Sequence, residues 1–146
     1  MKLHMQWKEK MLFTAETDGH TVNVDAKAPV GGGSAMTPKE LMVAAVCGCT
    51  AMDVAALMRK FRQPLETLSI DADVIVKEGS KPQVFRQIAL TFSLKGALDK
   101  DKVLEAVDLS QTQYCGVSAM VSKAVPITYK VILNGTEIGQ GAAQFP

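Results

Sequence analysis

The chain is predicted to fold as an α+β domain with a mostly antiparallel sheet. Two observations indicate this class. Short segments with alternating apolar and polar residues occur at both ends of the 146-residue chain, as expected for half-buried strands. Between them lies one long, almost uncharged segment of helical composition. The predicted order is strands, long helix, hairpin, helices and hairpin, and the whole of 1–146 is expected to be a single domain.

Residues 2–27 are predicted to form strands, with a turn at Asp18-Gly19 between alternating segments. Residues 28–34 are glycine-rich and are expected to be a loop. They lack the Lys-Ser/Thr ending of a phosphate-binding P-loop. We therefore interpret this loop as a flexible approach to the helix that follows.

A helix is predicted to begin at Pro38, with Thr37 as the cap residue and Glu40 completing a capping box. It is expected to run to about Phe61. The only charged residue in its central part is Asp53. A helix that is apolar on nearly every side must be buried on most faces. We expect an enclosing sheet, a second subunit, or both to cover it.

The remaining elements follow from alternation, capping and turn signals. They are predicted as a hairpin of residues 68–76 and 84–94, a helix at Lys100–Leu109, a short helix at 116–124, and a strand at 126–133 ending at the turn Asn134-Gly135.

Composition and charge exclude several function classes. The net charge is +1, from 16 basic and 15 acidic residues that are scattered along the chain. No nucleic-acid partner is therefore expected. There is no apolar run of signal-peptide length at the amino terminus. The apolar stretch at residues 41–49 is shorter than the roughly 20 residues that span a bilayer. A soluble, cytoplasmic protein without membrane association is expected.

The residues that say most about function are the three cysteines, Cys47, Cys49 and Cys115. Their odd number does not fit a secreted disulfide scaffold. In a reducing compartment they are inert core thiols, metal ligands or redox groups. Cys115 lies where a helix begins, a position that stabilises a thiolate. Cys47 is about 200° around the helix from Cys49, so we expect Cys47 to be structural.

Metal and hydrolytic sites are not predicted. The chain has no CxxC pair, and its histidines, His4 and His20, lie in predicted strands, whereas zinc sites have recognisable ligand spacings. No nucleophile elbow is present for a serine triad, and His20 beside Gly19 is expected to be a turn residue. No cofactor is expected.

Two segments resemble the motifs of the OsmC/Ohr family. Residues 37–54 (TPKELMVAAVCGCTAMDV) resemble its central-helix motif, and residues 113–118 (QYCGVS) resemble its second cysteine motif. The resemblance implies antiparallel sheets wrapped around long central helices in an intertwined homodimer. It also implies a thiol-dependent peroxidase for organic hydroperoxides. Cys49 would react with the peroxide, Cys115 would resolve the product as a disulfide, and an external thiol would reduce that bond.

The chain departs from the family at two positions. It has no arginine before Arg59, and Lys39 stands where the family has a glutamate, with Glu40 one residue later. This pattern is more similar to a less-characterised OsmC-like branch. Lys39, Glu40 and His20 are the candidate residues for activating or orienting the thiolate, with Arg86 a further candidate cation. The alternatives are a small-molecule binding or redox-sensing protein with little turnover, and a structural dimer with buried thiols.

Overall fold

The computed structural model describes residues 1–146, which form two compact units, Met1–Ala44 and Ala45–Pro146. The first unit holds a three-stranded antiparallel sheet in the order β1-β2-β3. Its strands are β1 (His4–Glu9), β2 (Leu12–Thr17) and β3 (His20–Val24). The predicted turn is present, since Asp18 and Gly19 both have positive φ and Thr17 pairs with His20. The strand predictions for residues 2–27 are therefore confirmed.

Asp25 shapes the glycine-rich loop that follows β3. Its buried carboxylate accepts hydrogen bonds from the Ala26 and Ser34 amides at 2.7 and 3.0 Å and from the Ser34 hydroxyl at 2.8 Å. These bonds, those from Ser34 above all, hold the Asp25 pKa below its usual range. A side chain at Gly31 would clash with Asp25 and with the Ala26 carbonyl. The loop is thus organised around its own carboxylate.

Helix α1 spans Pro38–Lys60 and begins with the predicted capping box. The Thr37 amide donates to Glu40 Oε2 at 2.8 Å, and the Glu40 amide donates to Thr37 Oγ1 at 3.3 Å. Glu40 also suits the positive end of the helix, and Arg59 and Lys60 suit its negative end. Both ends of the predicted helix are confirmed to within a residue.

The second unit contains a four-stranded sheet in the order β4-β5-β6-β7. Its strands are β4 (Thr67–Val76), β5 (Phe85–Lys95), β6 (Ile127–Leu133) and β7 (Thr136–Ala142). Both predicted hairpins are present, and Asn134 and Gly135 have positive φ at the second turn. One pairing, β5 with β6, is parallel. The helical segment between these two strands serves as the crossover that a parallel pair requires.

That crossover contains α2 (Lys100–Leu109), a π-helical turn (Ser110–Tyr114) and α3 (Gly116–Val121). Asp99 caps α2 by accepting from the Lys102 amide at 3.0 Å. The bounds of α2 agree with the prediction. The second helix is shorter than the predicted 116–124, because the chain turns after residue 121 and the Ala124 amide bonds back to the Val121 carbonyl.

A single apolar core joins α1, α2 and the sheet of the second unit. Its members are Val46, Val54, Leu57, Met58, Ile88, Leu90, Phe92, Leu94, Val103, Ala106, Val107, Val125, Ile127 and Val131. Phe92 lies in the middle of β5 and meets the Tyr129 ring edge to face at 6.0 Å. This core fixes the part of α1 that carries the cysteines against the sheet.

Within a single chain α1 is covered on one side only, and burial of its other side by a second subunit stays a prediction. One side is buried, whereas Met52 is 75% exposed and Met42 is 37% exposed. By length and composition, with a mean hydropathy of 2.0 over 18 residues, α1 also meets the requirements for crossing a membrane. The uninterrupted apolar stretch at residues 41–49 is shorter than this window, because Asp53 interrupts the run while the mean hydropathy of the longer segment stays high. Core helices of globular proteins meet the same requirements, and Val46, Val54 and Met58 pack in the core.

Candidate functional site

Cys49 and Cys115 come together in the second unit, 66 positions apart in sequence. Their sulfur atoms and a carboxylate oxygen of Asp53 all lie within 4.8 Å of one another. Cys49 and Asp53 are partly exposed, whereas Cys115 is fully buried. The site therefore holds two thiols and one carboxylate, with access from the Cys49 side.

Helix periodicity places two of these groups. Cys49 and Asp53 are four residues apart on α1, so they occupy neighbouring positions on one face. Cys47 does not belong to this cluster and packs against the apolar core instead. Burial, and secondarily Asp71, raises the pKa of the Cys47 thiol. The expectation that Cys47 and Cys49 face different surroundings is confirmed.

Cys115 is held at the junction between the π-helical turn and α3. Its amide donates to the Ser110 carbonyl at 3.0 Å, which closes the π turn. Its sulfur accepts from the Ser118 amide at 3.3 Å and caps α3. Turns of π type are rare and often occur at functional sites. Here the turn is what directs the Cys115 side chain towards α1.

The electrostatic environment of Cys115 differs from the sequence expectation. Burial raises the pKa of this thiol, the amide and nearby hydroxyl of Ser118 act in the opposite direction, and Cys49 raises it further. The helix start does supply the expected amide donor. Desolvation is the larger effect, because a thiolate loses more hydration free energy than a thiol when both are buried. Cys115 is therefore a neutral thiol at physiological pH.

The raised pKa predicts how the stability of the reduced protein depends on pH. The unfolded chain ionises Cys115 from about pH 8.5 upward, whereas the folded chain ionises it only at higher pH. The stabilisation from the neutral buried thiol is complete below that range and is lost as pH rises through the folded pKa. We expect the melting temperature of the reduced protein, relative to Cys115→Ala, to fall as the pH rises above the range in which the unfolded thiol ionises. A difference independent of pH would contradict this.

A chain of buried and partly buried hydrogen bonds ends on Asp53. Ser110 Oγ donates to Asp53 Oδ2 at 2.9 Å and lies 2.7 Å from Thr50 Oγ1, which accepts from Gln111 Nε2 at 2.8 Å. Since the single Ser110 proton is directed to Asp53, Thr50 must donate to Ser110. The chain Gln111, Thr50, Ser110, Asp53 thus runs in one direction, towards the carboxylate. Such chains strengthen each member by mutual polarisation.

Sequence reasoning did not identify these polar residues as part of the site. Asp53 was noted only as the one charge in an apolar helix, although its position four residues after Cys49 places the two side by side. The contribution of Ser110 depends on a π turn, for which the sequence carries no simple signal. Ser118, whose buried hydroxyl lies beside Cys115, was likewise missed.

Lys39, Glu40 and His20, the residues predicted to activate or orient the thiolate, all lie in the first unit. Lys39 is the second residue of α1 and is exposed, and His20 opens β3 opposite Thr17 and is also exposed. The Glu40 carboxylate binds Lys27 at 2.9 Å as well as capping the helix. The bond to Lys27 is the main cause of a lowered Glu40 pKa. Roles of these three residues at the thiols remain predictions.

Arg86 is exposed on β5 and lines a surface groove of about 680 Å³. The other residues that form the groove come from the end of β4 and the turn after it in the same hairpin, and they are Ile75, Val76, Lys77 and Glu78. Neither site cysteine lines this groove. Nothing in the second unit therefore favours Arg86 as the cation that activates Cys49.

Comparisons with known proteins agree on one family. The family model described as OsmC-like protein matches residues 31–130. Protein YhfA of Escherichia coli strain K12 is 34% identical over 134 residues, covering 88% of this chain and 95% of YhfA. An OsmC-like protein of Mycoplasma pneumoniae has a TM-score of 0.79 at 13% identity, covering 90% of this chain and 95% of that one. The organic hydroperoxide resistance protein OhrB of Bacillus subtilis has a TM-score of 0.63 at 18% identity, covering 91% and 96%.

Proposed function

The chain belongs to the OsmC-like protein family, and from this premise we propose that it is a thiol-dependent peroxidase that reduces organic hydroperoxides. Cys49 is the residue that reacts with peroxide, and Cys115 resolves the product. The observation that supports this most directly is the approach of the two sulfur atoms to within 4.8 Å, across 66 positions of sequence. A disulfide needs them about 2 Å apart, so modest side-chain rotation would close the bond.

The proposed reaction has three balanced steps. The Cys49 thiolate attacks the terminal oxygen of ROOH, the O–O bond breaks, and the departing alkoxide takes a proton to become ROH. Cys49 is left as a sulfenic acid. The Cys115 thiol then attacks the Cys49 sulfur, and water leaves as the disulfide forms. An external thiol reductant restores both thiols by exchange and is itself oxidised to a disulfide.

Exposure supports this division of roles. Cys115 is fully buried, with a raised pKa, and is therefore a poor first nucleophile. Cys49 is partly exposed. It also follows Gly48, where an added Cβ would meet open space. A substrate therefore has room to approach Cys49 but not Cys115.

The surroundings of Cys49 favour an organic over an inorganic peroxide. Met52 lies three residues after Cys49, on a neighbouring position of the same helix surface, and is 75% exposed. The B. subtilis neighbour is an organic hydroperoxide resistance protein by name. An apolar alkyl or aryl group bound beside Met52 would gain free energy by leaving water.

We also propose that the working form is a homodimer in the cytoplasm. Large apolar side chains that a single chain leaves exposed occur on both α1 and β1, such as Met52 at 75% and Trp7 at 61%. Burial of such side chains against a second copy would be favourable. A cytoplasmic location would keep the three thiols reduced between turnovers.

The variant Cys115→Ser tests the second step. We expect Cys49 to be oxidised still by one equivalent of an organic hydroperoxide, because the first step does not use Cys115. Without a resolving thiol, a sulfenic acid should accumulate and advance to sulfinic acid in excess peroxide. Intact-mass spectrometry with a sulfenic-acid trapping reagent measures this. Absence of any trapped adduct on Cys49 would contradict the proposed order of events.

A second function is favoured by two specific observations. The chain has no arginine before Arg59 to stabilise a thiolate, and Cys115 has a raised pKa. Both favour a redox-sensing or small-molecule binding protein with slow turnover. Steady-state peroxide consumption separates the two functions. A sensor would consume about one peroxide per chain as its thiols are oxidised, whereas a peroxidase would continue to consume peroxide as long as reductant is supplied.

A further inference from the structure

We propose that the reduced chain binds one thiophilic divalent cation, such as Zn²⁺, through Cys49, Cys115 and Asp53. These three residues supply two sulfur atoms and one carboxylate oxygen within 4.8 Å of one another. Ligand spacing within single segments does not indicate a metal site in this chain, which has no CxxC pair. The structure assembles the ligand set from α1 and from the junction before α3, two segments that spacing rules do not connect.

The ligand chemistry fits zinc. Thiolate sulfur binds zinc at about 2.3 Å and carboxylate oxygen at about 2.0–2.2 Å. Tetrahedral geometry then places two sulfur ligands about 3.8 Å apart, which small rotations of Cys49 and Cys115 would reach from the observed separation of at most 4.8 Å. Three protein ligands leave a fourth position for water, as in open zinc sites.

Charge provides a second argument. Each of the three groups is an anion in its deprotonated form, and like charges this close oppose one another. A divalent cation reverses that effect, because it favours both thiolates and the carboxylate at once. Binding is balanced by release of the two thiol protons to solvent, so that one Zn²⁺ replaces two H⁺.

Supporting hydrogen bonds of the kind found around metal ligands are already in place. Ser110 Oγ donates to Asp53 Oδ2 at 2.9 Å, and the Ser118 amide donates to the Cys115 sulfur at 3.3 Å. Such contacts orient the ligands and raise affinity.

Metal binding and disulfide formation use the same sulfur atoms, so the two states exclude each other. If the proposed peroxidase function holds, zinc inhibits it by occupying the reactive thiol. The metal site itself does not depend on that function, since it requires only the reduced thiols and Asp53.

The test is a zinc titration of the reduced, full-length protein against a colorimetric chelator, with no peroxide present. We expect one Zn²⁺ per chain, with two protons released for each ion bound. Cobalt as a probe should give the intense absorption of sulfur-to-cobalt charge transfer. Ser110→Ala is expected to weaken binding on the order of 10- to 100-fold by loosening Asp53.

Matched variants decide the ligand set. Cys49→Ser and Cys115→Ser should each abolish the sulfur-to-cobalt band or halve it, and Asp53→Asn should weaken zinc binding. Cys47→Ser should bind as the wild type does, because Cys47 lies outside the cluster. Failure of the reduced wild type to compete with the chelator, or loss of binding in Cys47→Ser, would overturn the proposal. Neither result bears on peroxide reduction, which is measured separately.

Discussion

Replacing Cys49 by serine is expected to reduce the rate of organic hydroperoxide consumption to that of buffer. The serine hydroxyl cannot form a sulfenic acid, and the buried Cys115 is not placed to react in its stead. Loss of a covalent nucleophile commonly lowers turnover on the order of 10³-fold or more. Steady-state consumption of an aryl hydroperoxide with a dithiol reductant measures the effect.

Cys47→Ser is the matched control for that experiment. The same substitution two residues earlier removes a thiol that packs against the core and has no place in the site. Its activity should stay within a few-fold of the wild type. Equal losses in the two variants would show that the activity depends on general thiol content or on folding, and retention of activity in Cys49→Ser would refute the assigned role.

Phe92→Ala is expected to cause the largest loss of stability among single core substitutions. Phe92 is fully buried in the middle of β5, between strands β4 and β6. The substitution also removes the edge-to-face contact between the Phe92 and Tyr129 rings. Truncation of a buried phenylalanine costs about 3–5 kcal/mol. Denaturant unfolding of the reduced protein, with a shift of the midpoint at constant slope, measures this cost.

Phe85→Ala provides the comparison on the same strand. Phe85 lies at the first position of β5 and is only partly buried, so its removal exposes less core and leaves no closed cavity. We expect a clearly smaller loss than for Phe92→Ala. Losses of equal size would show that the core is not centred on the middle of β5.

The elements set by local sequence were predictable. The capping box at Thr37 and Glu40 is a contact over three residues, and Asn134-Gly135 encodes its hairpin turn directly. The bounds of α1 and α2 follow from such signals. The parallel pairing of β5 with β6 was not predictable in this way, because it depends on how a crossover of some thirty residues packs.

The two thiols of the site could be predicted from the sequence, whereas most of the polar residues around them could not. The resemblance of residues 37–54 and 113–118 to a family supplied Cys49 and Cys115 as a pair. Asp53 could have been found from its four-residue spacing. Ser110 could not, since its hydroxyl reaches Asp53 only through the fold of the π turn.

Burial was the least predictable property. A helix that is apolar on all sides indicates that something covers it, without saying whether the cover belongs to the same chain. Here Val54 and Met58 are covered by the chain's own core, whereas Met52 is left exposed. The same limit applies to Cys115, whose position at a helix start indicates an amide donor but gives no measure of desolvation.

A count of free thiols by mass spectrometry, before and after one equivalent of an organic hydroperoxide, tests directly whether Cys49 and Cys115 act as a peroxide-reacting pair. We expect two of the three thiols to disappear rapidly and peptide mapping to find a Cys49–Cys115 crosslink, which Cys49→Ser does not form. Survival of all three thiols, or a crosslink that involves Cys47, would contradict this expectation.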